Sequence, residues 1–106
     1  MKKAPKLPTS LWSNLGPVKV VIVEHLRPLS KDAPDDIDDF GSFEPKTRTI
    51  EILKDLDPWA QWQALRHEWM HMVIFDAGYH NTLSPELQEG LCDLVGTAMA
   101  ADMRNA

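Results

Sequence analysis

A chain of 106 residues with 43% hydrophobic content has room for one domain around one modest core, and a second catalytic domain would not fit. Its 16 acidic and 11 basic residues give a formal charge of -5, so no broad positive field exists to attract phosphate backbones, and nucleic-acid binding is disfavoured. Cys92 is the only cysteine, which excludes an intramolecular disulfide and removes any need for an oxidising compartment.

The opening Met1-Lys2-Lys3-Ala4-Pro5-Lys6-Leu7-Pro8 is basic but lacks the apolar run of a signal peptide, and no later stretch is apolar enough to span a bilayer. A cytoplasmic protein with no membrane partner is therefore expected, and nothing in the sequence asks for more than a monomer. Residues 1–17 carry prolines at 5, 8 and 17 and little periodicity, so they read as an extended arm pinned by Leu11, Trp12 and Leu15. Val18 to Val23 is rich in β-branched residues and reads as a strand buried on at least one face. Lys31 to Asp39 holds five aspartates and a proline. Ile37 and Phe40 break the alternate oxygen ligands that a calcium loop requires, so a solvated loop is the better reading.

Phe40 to Phe43 and Arg48 to Leu53 flank Glu44-Pro45-Lys46-Thr47, and Ile50 and Ile52 alternate with Thr49 and Glu51, as in a hairpin. Asp57-Pro58 is an N-cap followed by proline at the first helical position, and Gly78 suits the C-terminal cap of a helix over about 58–77. Ser84-Pro85-Glu86 repeats the start signal, and Leu87, Leu91, Leu94, Val95 and Ala98 form an apolar stripe along a helix over about 85–103. The expected fold is a single α+β domain over 1–106, with a small sheet of about three strands in 18–53 followed by two long antiparallel helices in 58–103.

His67-Glu68-Trp69-Met70-His71 fits H-E-x-x-H in the middle of the first helix. Residues four apart share a helix face, so both imidazoles can reach one ion, and three protein ligands plus water is the arrangement of a catalytic zinc site. Glu68, beside the first histidine, can reach the water rather than the metal. A carboxylate there can act as general base during attack and return the proton to the leaving amine. The apolar residues from Trp69 to Phe75 surround His71, and histidines in such a helix need a metal or a firm hydrogen-bond partner.

The third ligand is open among Asp76, His80, Glu86, Glu89 and Asp93. The metzincin pattern fails because Ile74 and Ala77 stand where its glycine and histidine belong. Asp76 is more than a turn beyond His71 on the same helix, too far to close a tetrahedron. Glu89 is better placed, on a helix returning antiparallel, and His80 in the intervening turn remains the rival. Glu89, Asp93, Gly96 and Ala100 share one face, where small residues let the helix axes approach. Asp93 can then accept the outer N–H of a ligating histidine.

His67-Glu-x-x-His71 paired with Glu89-x-x-x-Asp93 resembles the gluzincins, and the small size and strands-then-helices order are similar to minimal, ImmA/IrrE-like bacterial and phage metallopeptidases. The resemblance implies one Zn2+ per chain held by His67, His71 and Glu89, with Asp93 supporting a histidine and a metal-activated water attacking a peptide bond. It also implies a peptide or protein substrate bound in extended form along the hairpin from Phe40 to Leu53. Larger gluzincins steady the oxyanion from a further domain; here Tyr79 and His80 are the only nearby substitutes. A catalytically silent zinc-binding module, with His80 as a fourth ligand, is the competing expectation. A third is a latent enzyme whose arm or acidic loop covers the cleft.

Overall fold

The computed structural model describes residues 2–26 and 40–106, so the aspartate-rich segment from Lys31 to Asp39 lies outside the described residues. The order is β1 (Ser10–Ser13), β2 (Gly16–Val23), β3 (Gly41–Glu44), β4 (Thr49–Leu53), α1 (Pro58–Asp76) and α2 (Pro85–Asn105). This is an α+β arrangement, a four-stranded mixed sheet in the order β1-β2-β4-β3 followed by two helices. No helix of the described residues is long and apolar enough to cross a membrane.

The sheet has four strands rather than about three because part of the proline-bearing arm is a strand. β1 pairs antiparallel with β2 from Ser10↔Lys19 to Ser13↔Gly16, turning through Asn14 and Leu15 into Gly16, whose φ of 141° favours glycine. β2 and β4 run parallel, and β3 returns antiparallel on β4, leaving β3 at one edge and β1 at the other.

The pleat aligns Val20, Ile50 and Phe43 in one cross-strand row and Ile22, Ile52 and Gly41 in the next. Val18, Val20, Phe43, Ile50 and Ile52 of this face pack with Trp62, Ala64, Leu65 and Met72 of α1 to form the core. The site therefore rests on a strand layer that buries one side of α1.

Local chemistry fixes the ends of both helices. The Asp57 carboxylate accepts from the N–H groups of Trp59 and Ala60, and Ser84 Oγ accepts from the Leu87 N–H. At the far end of α1, Gly78 takes a φ of 81°; its N–H donates to Phe75 O and that of Tyr79 to Ile74 O, the paired bonds of a glycine-terminated helix. The Gln88 side-chain amide then donates to His80 O (2.8 Å) and Leu83 O (2.9 Å), anchoring the first turn of α2 to the turn between the helices.

Two surfaces of the helices differ from what periodicity suggests. The face of α2 that packs on α1 is Gln88, Cys92, Gly96 and Ala100, whereas Leu87 and Leu94 of the leucine stripe are exposed. A β-carbon on Gly96 would fall 2.8 Å from Gln63 O and 3.1 Å from His67 N, so only glycine lets the axes come this close. On roughly the opposite side of α1, the indole N–H groups of Trp59, Trp62 and Trp69 donate to the carbonyls of Lys2, Pro5 and Trp12, and Arg66 lies over the rings of Trp62 and Trp69. Residues 2–13 of the arm are thus engaged along the tryptophan side of α1 and in β1.

Candidate metal centre

His67 and His71 occupy successive turns of α1 and are both buried, with ring centroids 5.0 Å apart. Glu89 approaches from α2 and spans them: its Oε1 is 3.1 Å from His67 Nε2 and its Oε2 is 3.0 Å from His71 Nε2. The antiparallel return of α2 and the close approach at Gly96 bring these three groups together. Ligand atoms of a tetrahedron with bonds of about 2.0–2.1 Å lie about 3.3 Å apart, so these separations need only a small expansion to hold a zinc-sized ion.

Proton accounting points the same way. Asp93 Oδ1 lies 2.8 Å from His67 Nδ1, on the outer side of the ring. An ionised carboxylate only accepts, so Nδ1 carries the hydrogen and a neutral His67 presents a lone pair at Nε2. That lone pair faces a Glu89 oxygen, and either a proton or a cation must sit between them. The donor set of two imidazole nitrogens and a carboxylate oxygen is one that zinc accepts, and the arrangement fits that ion.

The four acids near α1 divide by position. Glu68, fully buried, has Oε2 3.9 Å from His67 Nε2 and belongs to a cluster with His67 and His71 whose ligand-capable atoms lie within 4.8 Å of one another. His67, Glu89 and Asp93 form a second such cluster, but Glu89 and Asp93 address opposite nitrogens of His67, so only Glu89 shares an inner side with His71. Asp76 is committed elsewhere, accepting from Arg48 Nη1 at 2.7 Å and Nη2 at 2.9 Å. The Arg48 guanidinium holds its carboxyl well below the usual range, at about 2, with Ser13 and the Leu15 N–H adding in the same direction against desolvation.

The turn residues stand apart from these clusters. His80 has its ring 4.4 Å from that of Phe75, with Asn81 Nδ2 3.4 Å from its Nε2, and it is in neither ligand-capable cluster found among the described residues. Tyr79 is 56% exposed. A cleft of about 200 Å³ lined by Phe40, Ala60, Gln63, Ala64, His67 and Asp93 leaves room beside the first histidine.

Two residues of β3 that sequence periodicity does not single out touch the centre. Phe43 stacks on His71 with centroids 5.2 Å apart and planes 8° from parallel. Gly41 abuts Glu68, since a β-carbon there would lie 3.2 Å from Glu68 Cγ. The alternation of Gly41 and Phe43 was the available signal, but it indicates a shared face without saying which helix residues that face meets.

No protein-family model, curated protein or solved structure matches this chain.

Proposed function

We propose that the chain is a zinc-dependent metallopeptidase of the gluzincin kind, with His67, His71 and Glu89 as metal ligands and Glu68 as general base. The observation that carries this reading is the bridging of both inner imidazole nitrogens by the two oxygens of a single carboxylate, at 3.1 and 3.0 Å. When bound, zinc supplies a Lewis acid that polarises a carbonyl and brings the ionisation of water toward neutral pH.

The remaining chemistry belongs to side chains. Asp93 holds the outer hydrogen of His67, which keeps Nε2 as the donor nitrogen and the ring in one orientation. Glu68, shielded from solvent, takes a proton from the attacking water and returns it to the departing amine. β3 is an edge strand of the sheet among the described residues, and an extended peptide adds there by main-chain pairing, which presents its carbonyls beside the centre. Regulatory proteins are the substrate class suggested by the ImmA/IrrE-like resemblance, on analogy alone.

The test compares wild type with Glu68→Gln. Both are expected to retain about one zinc per chain, while cleavage of an unfolded test protein falls by about 10²–10⁴-fold in the variant. Equal cleavage by the two would remove Glu68 from its role. A second reading, a zinc-binding module without turnover, draws support from the exposure of Tyr79 and the packing of His80 on Phe75, which leave oxyanion stabilisation without an obvious side chain among the described residues. It predicts stoichiometric metal and no cleavage of any peptide library.

A further inference from the structure

We infer that the inner face of β3 positions both the base and a ligand of the centre, Gly41 setting the place of Glu68 and Phe43 setting the plane of His71. The inference rests on the reading of Glu68 as base and His71 as ligand. Gly41 and Phe43 are two apart on β3, opposite Ile52 and Ile50 of β4, so the register that builds the core also aims this pair at α1.

At Gly41 the requirement is space. A β-carbon would meet Glu51 O at 3.1 Å, Ile52 Cδ1 at 3.1 Å and Glu68 Cγ at 3.2 Å. The Glu51 oxygen is backbone within the sheet and cannot retreat without disturbing the ladder. The Ile52 methyl and the Glu68 side chain are the movable neighbours, so an added methyl would press on the stem that carries the Glu68 carboxylate. Glycine here keeps room for the stem of the base.

At Phe43 the requirement is a flat surface. The two imidazoles are oriented by different means, His67 by the Asp93 carboxylate on its Nδ1 and His71 by the nearly parallel Phe43 ring. Phe43 is 2% exposed and fixed by the core, so its ring restrains rotation of His71 about its outer torsion. An aliphatic residue would fill part of the volume but remove the flat surface that restrains that torsion.

The experiment uses the full chain loaded with Co2+ as a spectroscopic stand-in for zinc, together with steady-state hydrolysis. Gly41→Ala is expected to keep its metal content and visible cobalt spectrum while kcat falls about 10- to 100-fold and KM stays within about twofold. Gly90→Ala, at a glycine with open space around its β position, serves as the control and should leave all readings unchanged. Glu68→Ala has no atom at the crowded Cγ position, so Gly41→Ala combined with Glu68→Ala should fold and match Glu68→Ala alone in metal content, cobalt spectrum and residual activity, even where the single glycine variant folds poorly.

Phe43→Leu is expected to alter the cobalt spectrum and weaken metal binding by about tenfold, with both restored in Phe43→Tyr, which keeps the ring. Losses that multiply in the glycine double variant, or a Phe43→Leu spectrum identical to wild type, would overturn the inference. A wild type that binds and cleaves while the Gly41 and Phe43 variants match it overturns this inference alone. A wild type that takes up no metal overturns it together with the reading beneath it.

Discussion

Asp76 and Glu89 are both acids within reach of the second half of α1, yet the fold uses them in opposite ways. Asp76 meets a permanent cation: its two oxygens accept from the two terminal nitrogens of Arg48, and its side chain is 1% exposed. The pair is electrically complete, and it ties the start of β4 to the last turn of α1. Glu89 meets two imidazoles instead, in company with Glu68 and Asp93. With neutral imidazoles, three ionised carboxylates leave an excess of negative charge and the His67 Nε2 lone pair pointing inward, which a divalent cation would relieve. An ion pair that serves the fold closes on itself, whereas a site that serves chemistry leaves something for a ligand to complete.

That contrast breaks most visibly at Asp76. Its carboxyl is held at about 2, below the ordinary 3.8, first by the hydrogen-bonded Arg48 guanidinium, so the stabilisation is complete above about pH 4 and drains away as the pH falls toward 2. Asp76→Asn should cost about 2 kcal/mol at neutral pH, allowing for the partly exposed guanidinium. The gap from wild type should narrow as the pH falls from about 4 to about 2. Urea unfolding with chelator present at neutral and acid pH measures this directly, and zinc stoichiometry at neutral pH should be unchanged. A loss of zinc in this variant would erase the distinction between the two acids.

Asp93 sharpens the comparison from the other side. Its side chain is 70% exposed, so Asp93→Asn should change the stability of the metal-free chain by no more than about 0.5 kcal/mol. Zinc affinity should nonetheless fall by about tenfold, the low end for an outer partner of a ligating histidine. Competition titration against a chelator of known affinity provides the number. Unchanged affinity would mean that Asp93 does not govern the hydrogen on His67.

The parts of this molecule written in local chemistry were legible. Asp57-Pro58 and Ser84-Pro85 mark where the helices begin, because capping needs only the next three residues, and Gly78 marks where α1 ends because its positive φ is a property of one residue. The spacing of His67 with His71 and of Glu89 with Asp93 was equally visible, since four residues on a helix fix a shared face. What stayed hidden depends on partners distant in the chain. β1 is four residues long among prolines and exists because β2 offers it an edge.

The leucine stripe of α2 misleads for a related reason. Spacing identifies a face but not which of two faces wins the neighbour, and here backbone approach at Gly96 decides for the side bearing Cys92 and Ala100. The roles of Gly41 and Phe43 likewise follow from the register of β3 on β4, which no single segment encodes.

Calorimetric titration of the metal-free chain with zinc, for wild type and Glu89→Ala side by side, tests the central claim most directly. The account predicts one saturable site in the wild type and its loss, or weakening by more than about 100-fold, in the variant. Absence of saturable binding by the wild type, or equal affinity in the two proteins, would contradict it.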